Sequence, residues 1–112
     1  MTPMNSDHSD REPTRQDVDA LTGPVVLEFG ASWCGHCQAL EPHVKAALRG
    51  YPHVRFIWVE DGKGKPLGRS FGVKLWPTLV FLRDGQVVHK AVRPEPREVD
   101  EGLKMIVGEA PG

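Results

Sequence analysis

Val25-Val26-Leu27-Glu28-Phe29-Gly30-Ala31-Ser32-Trp33-Cys34-Gly35-His36-Cys37 passes from a nearly unbroken apolar run, through a turn of small residues, into a helical pattern. Val25 to Phe29 reads as a central strand covered on both faces. Cys37, Leu40, Val44, Ala47 and Leu48 then share one helical face, and Gly50 with Pro52 ends that helix. Downstream, Val54 to Val59 is rich in β-branched and aromatic residues and reads as a second strand. A polar loop from Glu60 to Gly68 leads to a short helix over Leu67 to Phe71. Pro77 to Leu82 is a third strand opened by a proline, and Asp84-Gly85 turns it into a fourth, Val87 to Val92. Pro96 suits the first turn of a last helix with apolar positions Val99, Leu103, Ile106 and Val107. Two strands joined by a helix should be parallel with a right-handed crossover, and the hairpin antiparallel. The expected fold class is therefore α/β: a mixed central sheet with helices on both faces.

Upstream, residues 1–17 are polar, charged and interrupted by proline, which predicts a flexible tail ahead of one domain over residues 18–112. Thr14 and Asp17 resemble a helix cap before a short turn through Val18, Ala20 and Leu21. The 112 residues fit a single domain. With 14 Lys and Arg against 15 Asp and Glu, the net charge of -1 gives no general attraction to nucleic acid or anionic lipid. No apolar run is long enough to span a bilayer. The start also shows no apolar core of a secretory leader, so a cytoplasmic location is expected, with a processed periplasmic form as the alternative.

The two cysteines stand three positions apart at the junction of strand and helix. Cys34 falls at the helix N-terminus, where unpaired N–H groups and the helix dipole favour a thiolate. Cys37, one turn on, falls on the apolar stripe. An exposed, ionisable sulfur followed by a recessed one is what thiol–disulfide exchange requires: Cys34 attacks, and Cys37 resolves the mixed disulfide. Two other readings compete. A CxxC can be half of a zinc site, and His36, His43 and His53 are nearby, but the second close ligand pair that structural zinc requires is missing. The other is two inert buried thiols, and the exchange reading outweighs both.

Trp33-Cys34-Gly35-His36-Cys37 after VVLEFGAS, with Trp76-Pro77-Thr78 some forty residues later, resembles the thioredoxin superfamily, in the WCGHC form typical of protein disulfide isomerase domains. The likeness runs from about Pro24 to Val107. It implies a thioredoxin-like fold and a thiol–disulfide oxidoreductase, acting as a reductase of protein disulfides, with an upstream reductant and as a monomer. No metal and no cofactor beyond the Cys34–Cys37 disulfide are implied. An oxidase or isomerase in an oxidising compartment is one alternative. A non-catalytic module holding a partner through Trp33, Trp76 and Arg93 is another. By the same resemblance Pro77 is a cis-proline, the backbone of Trp76 pairs with substrate, and Trp33 and Thr78 complete the substrate surface. Glu28 lies beneath Cys37 as its proton acceptor, and Gly35 and His36 tune the redox potential. Three positions depart from the family pattern: Lys74-Leu75-Trp76 before the proline, Arg93 where a glycine is common, and an apolar residue near Phe56 where a lysine often neighbours the buried carboxylate.

Overall fold

The structure, a computed structural model, describes residues 12–107. Four strands, β1 (Pro24–Gly30), β2 (Arg55–Glu60), β3 (Thr78–Arg83) and β4 (Gln86–Val92), form one sheet in the order β2-β1-β3-β4. β1 is parallel to β2 and antiparallel to β3, and β3 and β4 make the antiparallel hairpin expected at Asp84-Gly85. Four helices, α1 (Arg15–Asp19), α2 (Gly35–Leu48), α3 (Pro66–Ser70) and α4 (Pro96–Val107), cover both faces. Pro77 lies just ahead of β3 instead of opening it, because Thr78 is the first residue with ladder partners, Phe29 and Val92.

Alternation along β1 sorts the core. Val25, Leu27 and Phe29 face one way and pack with Val80 and Leu82 against Val18 of α1 and Leu67 of α3. Val26 faces the other way, with Leu79 and Phe81, against Leu40 and Val44 of α2 and Leu103 and Ile106 of α4. Glu28 and Gly30 continue that second series, so the strand's one charged residue points beneath α2.

The expected tail is corrected at its C-terminal part. Thr14 and Asp17 form a reciprocal capping box on α1. The Glu12 carboxylate accepts from the Leu67 N–H at 3.1 Å, and the Arg15 guanidinium lies 3.9 Å over the Phe71 ring. Residues 12–17 thus belong to the packed unit, because the cap and the Arg15–Phe71 contact seat Val18 in the core. Residues 1–11 and 108–112 lie outside the described residues.

Gly30 at the end of β1 makes the room in which the site is built. A Cβ there would stand 2.5 Å from Cys37 Sγ and 2.9 Å from the Trp58 ring, and both neighbours are themselves packed. Gly30→Ala is therefore expected to cost about 1–3 kcal/mol in denaturant unfolding, the usual cost of overpacking.

Candidate active site

Cys34 is the N-cap of α2, with extended backbone (φ -81°, ψ 121°). Its sulfur sits where a capping serine or threonine oxygen would, and accepts the Cys37 N–H at 3.4 Å. A hydrogen bond of 3.0 Å from its own N–H to the Ala31 carbonyl closes the turn that leads into the helix. Burial pushes the Cys34 thiol up, yet hydrogen bonds from the Cys37 side chain and from the Cys37 and His36 backbone, with the Arg93 charge, outweigh it and hold the thiol below its ordinary value. Cys37 moves the opposite way. Burial, the Cys34 sulfur and the Glu28 carboxyl push it up to about 12.

One expectation needs correcting here. Cys34 was expected to be exposed and Cys37 recessed, but they retain only 7% and 4% of their surface. Ala31 packs with both sulfurs, and Trp58 and Trp76 lie against that cluster. Burial raises both thiols, and the donors that Cys34 receives outweigh it there, whereas the Cys34 sulfur and Glu28 add to it at Cys37. Both cysteines are free thiols in this structure.

Glu28 is 3% exposed, and burial, helped by Glu41, raises its carboxyl to about 7. It faces Trp58 across the β1–β2 ladder, so the apolar residue beside the carboxylate is Trp58, with Phe56 two positions earlier on the same face. A cleft of about 400 Å³ reaches Glu28 and Cys37 from the outer side of α2, past Gln38, Glu41 and Lys45. Trp58 lines this cleft and donates its indole N–H to Glu60 at 3.2 Å. Sequence reasoning passed over Glu41, although it stands four residues after Cys37 and so on the same side of the helix.

Outside the lining of that cleft lies an aromatic rim. Trp33, 73% exposed, meets Trp76 edge to face with ring centroids 5.6 Å apart. The Trp76 indole donates to Asp61 at 2.9 Å, a partner fifteen residues away for which the sequence carries no signal. The Trp76–Pro77 peptide is cis. Thr78, expected at the substrate surface, is buried, and its hydroxyl donates to the Leu75 carbonyl at 2.7 Å. It shapes the loop before the proline and does not reach the rim. Gly35 and His36 lie exposed on the first turn of α2, and no group of three His, Cys, Asp or Glu side chains able to hold a metal occurs among the described residues.

Two vicinal thiols of divided proton affinity, at a helix N-terminus beside a cis-proline loop, define a dithiol exchange protein. The thioredoxin family model matches residues 8–104, and the chain belongs to that family. It is 40% identical over 90 residues to thioredoxin Asp f 28 of Aspergillus fumigatus, covering 78% of this chain and 83% of that one. It is 41% identical over 91 residues to protein disulfide-isomerase A2 of Pongo abelii, covering 75% of this chain but 17% of that much longer one. The structure of reduced thioredoxin 2 from Pseudomonas aeruginosa PAO1 superposes with a TM-score of 0.80 at 49% identity, covering 96% of this chain and 100% of that one. The protein is thus a thiol–disulfide oxidoreductase with a thioredoxin fold. The two thioredoxins, matched over most of their length, fit the reductase reading, and the alternatives of an oxidase, an isomerase or a non-catalytic module are not favoured. Family members act on protein disulfides. No helix among the described residues is long and apolar enough to cross a membrane.

The buried carboxyl gives the stability a pH signature. Folded Glu28 holds its proton up to about pH 7, against 4.5 when free. The native state therefore binds the extra proton in between, and stability falls as pH rises through that window. The 4.5-to-7 shift corresponds to a decline of about 3 kcal/mol, complete above about pH 7. Glu28→Gln should remove that decline, seen as unfolding curves whose advantage over the unaltered protein grows from pH 4.5 to pH 7.

Proposed function

We propose that Cys34 is the nucleophile and Cys37 the resolving thiol in the reduction of protein disulfides, with Glu28 managing the resolving proton. The observation that carries this reading is the Cys37 N–H donated to Cys34 Sγ at the N-cap of α2. It gives one sulfur of the pair a helix terminus as its counter-charge, and thiolate is the reactive form.

The Cys34 thiolate attacks one sulfur of the client, forming the mixed disulfide, and the client's other sulfur leaves and takes up a proton. Cys37 then attacks Cys34 Sγ. The Cys34–Cys37 bond forms, the client's second sulfur departs, and two electrons have passed to the client. At the outset Cys37 is held protonated partly by the neighbouring Cys34 sulfur. Once Cys34 is bonded to the client that charge is gone, and the thiol becomes easier to ionise. Glu28, raised to about 7 and lining the same cleft, is matched to accept a proton at neutral pH. The cleft offers that proton a way out past Glu41 and Lys45.

In this reading Trp33 and Trp76 flank the client segment, and the Trp76 backbone N–H pairs with it by strand addition. Pro77 and Thr78 fix the loop that presents Trp76. Gly35 leaves the approach to the sulfur open, and His36 adds to the potential seen by the thiolate. The protein works as a monomer in the reducing cytoplasm, with an upstream reductant restoring the dithiol. No metal or other cofactor takes part, because the two sulfurs carry both electrons.

Insulin reduction by the protein with dithiothreitol as electron source checks the division of labour. Cys34→Ser should abolish turbidity. Pre-reduced Cys37→Ser protein mixed with insulin in the absence of dithiothreitol should stop at a covalent adduct with an insulin chain, which dithiothreitol added afterwards releases. Adducts forming equally well on the Cys34→Ser protein would overturn the division of roles.

A further inference from the structure

Arg93 is one of two non-glycine residues among those described with a positive φ, here 47°, a conformation that strains an L side chain. The strain comes with a grip on both sides of the cis peptide. The Arg93 N–H donates to the Pro77 carbonyl at 2.8 Å, and the guanidinium Nε–H donates to the Trp76 carbonyl at 2.8 Å. One donor of the five is thereby used. Arg93 enters none of the ion pairs among the described residues, which join Arg15 to Asp19, Lys45 to Glu41 and His89 to Glu98. Asp61 and Glu60, at the end of β2, are occupied by the Trp76 indole and by the Trp58 indole and Ser32 N–H.

The anion nearest in role to a partner is the Cys34 thiolate, whose formation the Arg93 charge assists. That anion exists only in the resting enzyme. When Cys34 bonds to the client, its charge departs with the leaving sulfur and the guanidinium is left uncompensated beside the rim. The Trp76 carbonyl already accepts from Arg93, and a segment that pairs with the Trp76 N–H leaves the outer guanidinium donors free for a side chain.

We propose that Arg93 is a specificity-determining residue that selects client disulfides carrying an aspartate or glutamate beside the attacked cysteine. The client carboxylate replaces the lost thiolate as the guanidinium's partner and steadies the mixed disulfide. The proposal rests on Cys34 as nucleophile.

The test uses the reduced full-length protein and cyclic peptide disulfides identical except for Asp, Ser or Lys next to the attacked cysteine. The Asp peptide should be reduced about fivefold faster than the Lys peptide at low salt, the scale of one exposed charge pair. The gap should close at about 1 M salt, where screening acts within a few ångströms. R93Q and R93G should bring the Asp-to-Lys ratio near one, and R93K should restore most of it. Because the ratio is read within each variant, a uniform change in thiol reactivity cancels. Glycine accepts the left-handed backbone, so R93G keeps the test sound if R93Q folds poorly. An Asp-to-Lys ratio near one in the unaltered protein, or the same ratio in R93G, overturns the proposal while leaving the oxidoreductase reading intact. Reduction of the Ser peptide by Cys34→Ser would instead overturn the nucleophile assignment beneath it.

Discussion

The chemistry of this molecule depends on a backbone N–H pointing at a sulfur. The preferred acceptor for an N3 donor is a serine, threonine, aspartate or asparagine side-chain oxygen. Here the acceptor is Cys34 Sγ, and the donor belongs to Cys37, so one hydrogen bond stabilises the helix end, favours a thiolate and fixes the spacing between the two reacting sulfurs. Moving that cysteine by one residue would lose all three at once. The sheet's role is to deliver the turn: β1 ends at Gly30, whose carbonyl accepts the Asp61 N–H at 2.7 Å, and Ala31 closes the cap.

Burial pushes both thiols up, and the groups around each sulfur then send their proton affinities apart. Both are nearly buried, so low dielectric strengthens every charge around them. Donors and Arg93 surround one sulfur, while Glu28 and the partner sulfur burden the other. The same burial that makes Glu28 costly also places its proton affinity in the neutral range. The cleft behind α2 prevents that carboxyl from being sealed, since it joins Glu28 to the outer face of the helix.

Much of this was legible in the chain itself. The unbroken apolar run of β1, the helical spacing after Cys37 and the Asp84-Gly85 turn are local signals, and the strands and helices follow them within one or two residues. Glu28 was readable because a carboxyl inside VVLEF has few places to go, and alternation put it under α2. The near burial of Cys34 was not readable, because the cover comes from Trp76, forty-two positions away. Nor was the Arg93 bond to the Trp76 carbonyl, which spans the β3–β4 hairpin and depends on a left-handed residue at its end. The tail boundary was misplaced because polar composition outweighed a capping pattern whose strength comes from the distant Phe71 ring. Local pattern sets the elements here, while side chains far apart in sequence set the polarity of the site.

The central claim, a divided proton affinity within one dithiol, is tested most directly by titrating the reduced protein and following thiolate absorbance in the ultraviolet, alone and with each cysteine replaced by serine. The account predicts two separate steps: a first below the ordinary thiol value of 9.0, missing from Cys34→Ser, and a second displaced upward toward about 12. Two thiols ionising together at or above 9.0 would contradict it.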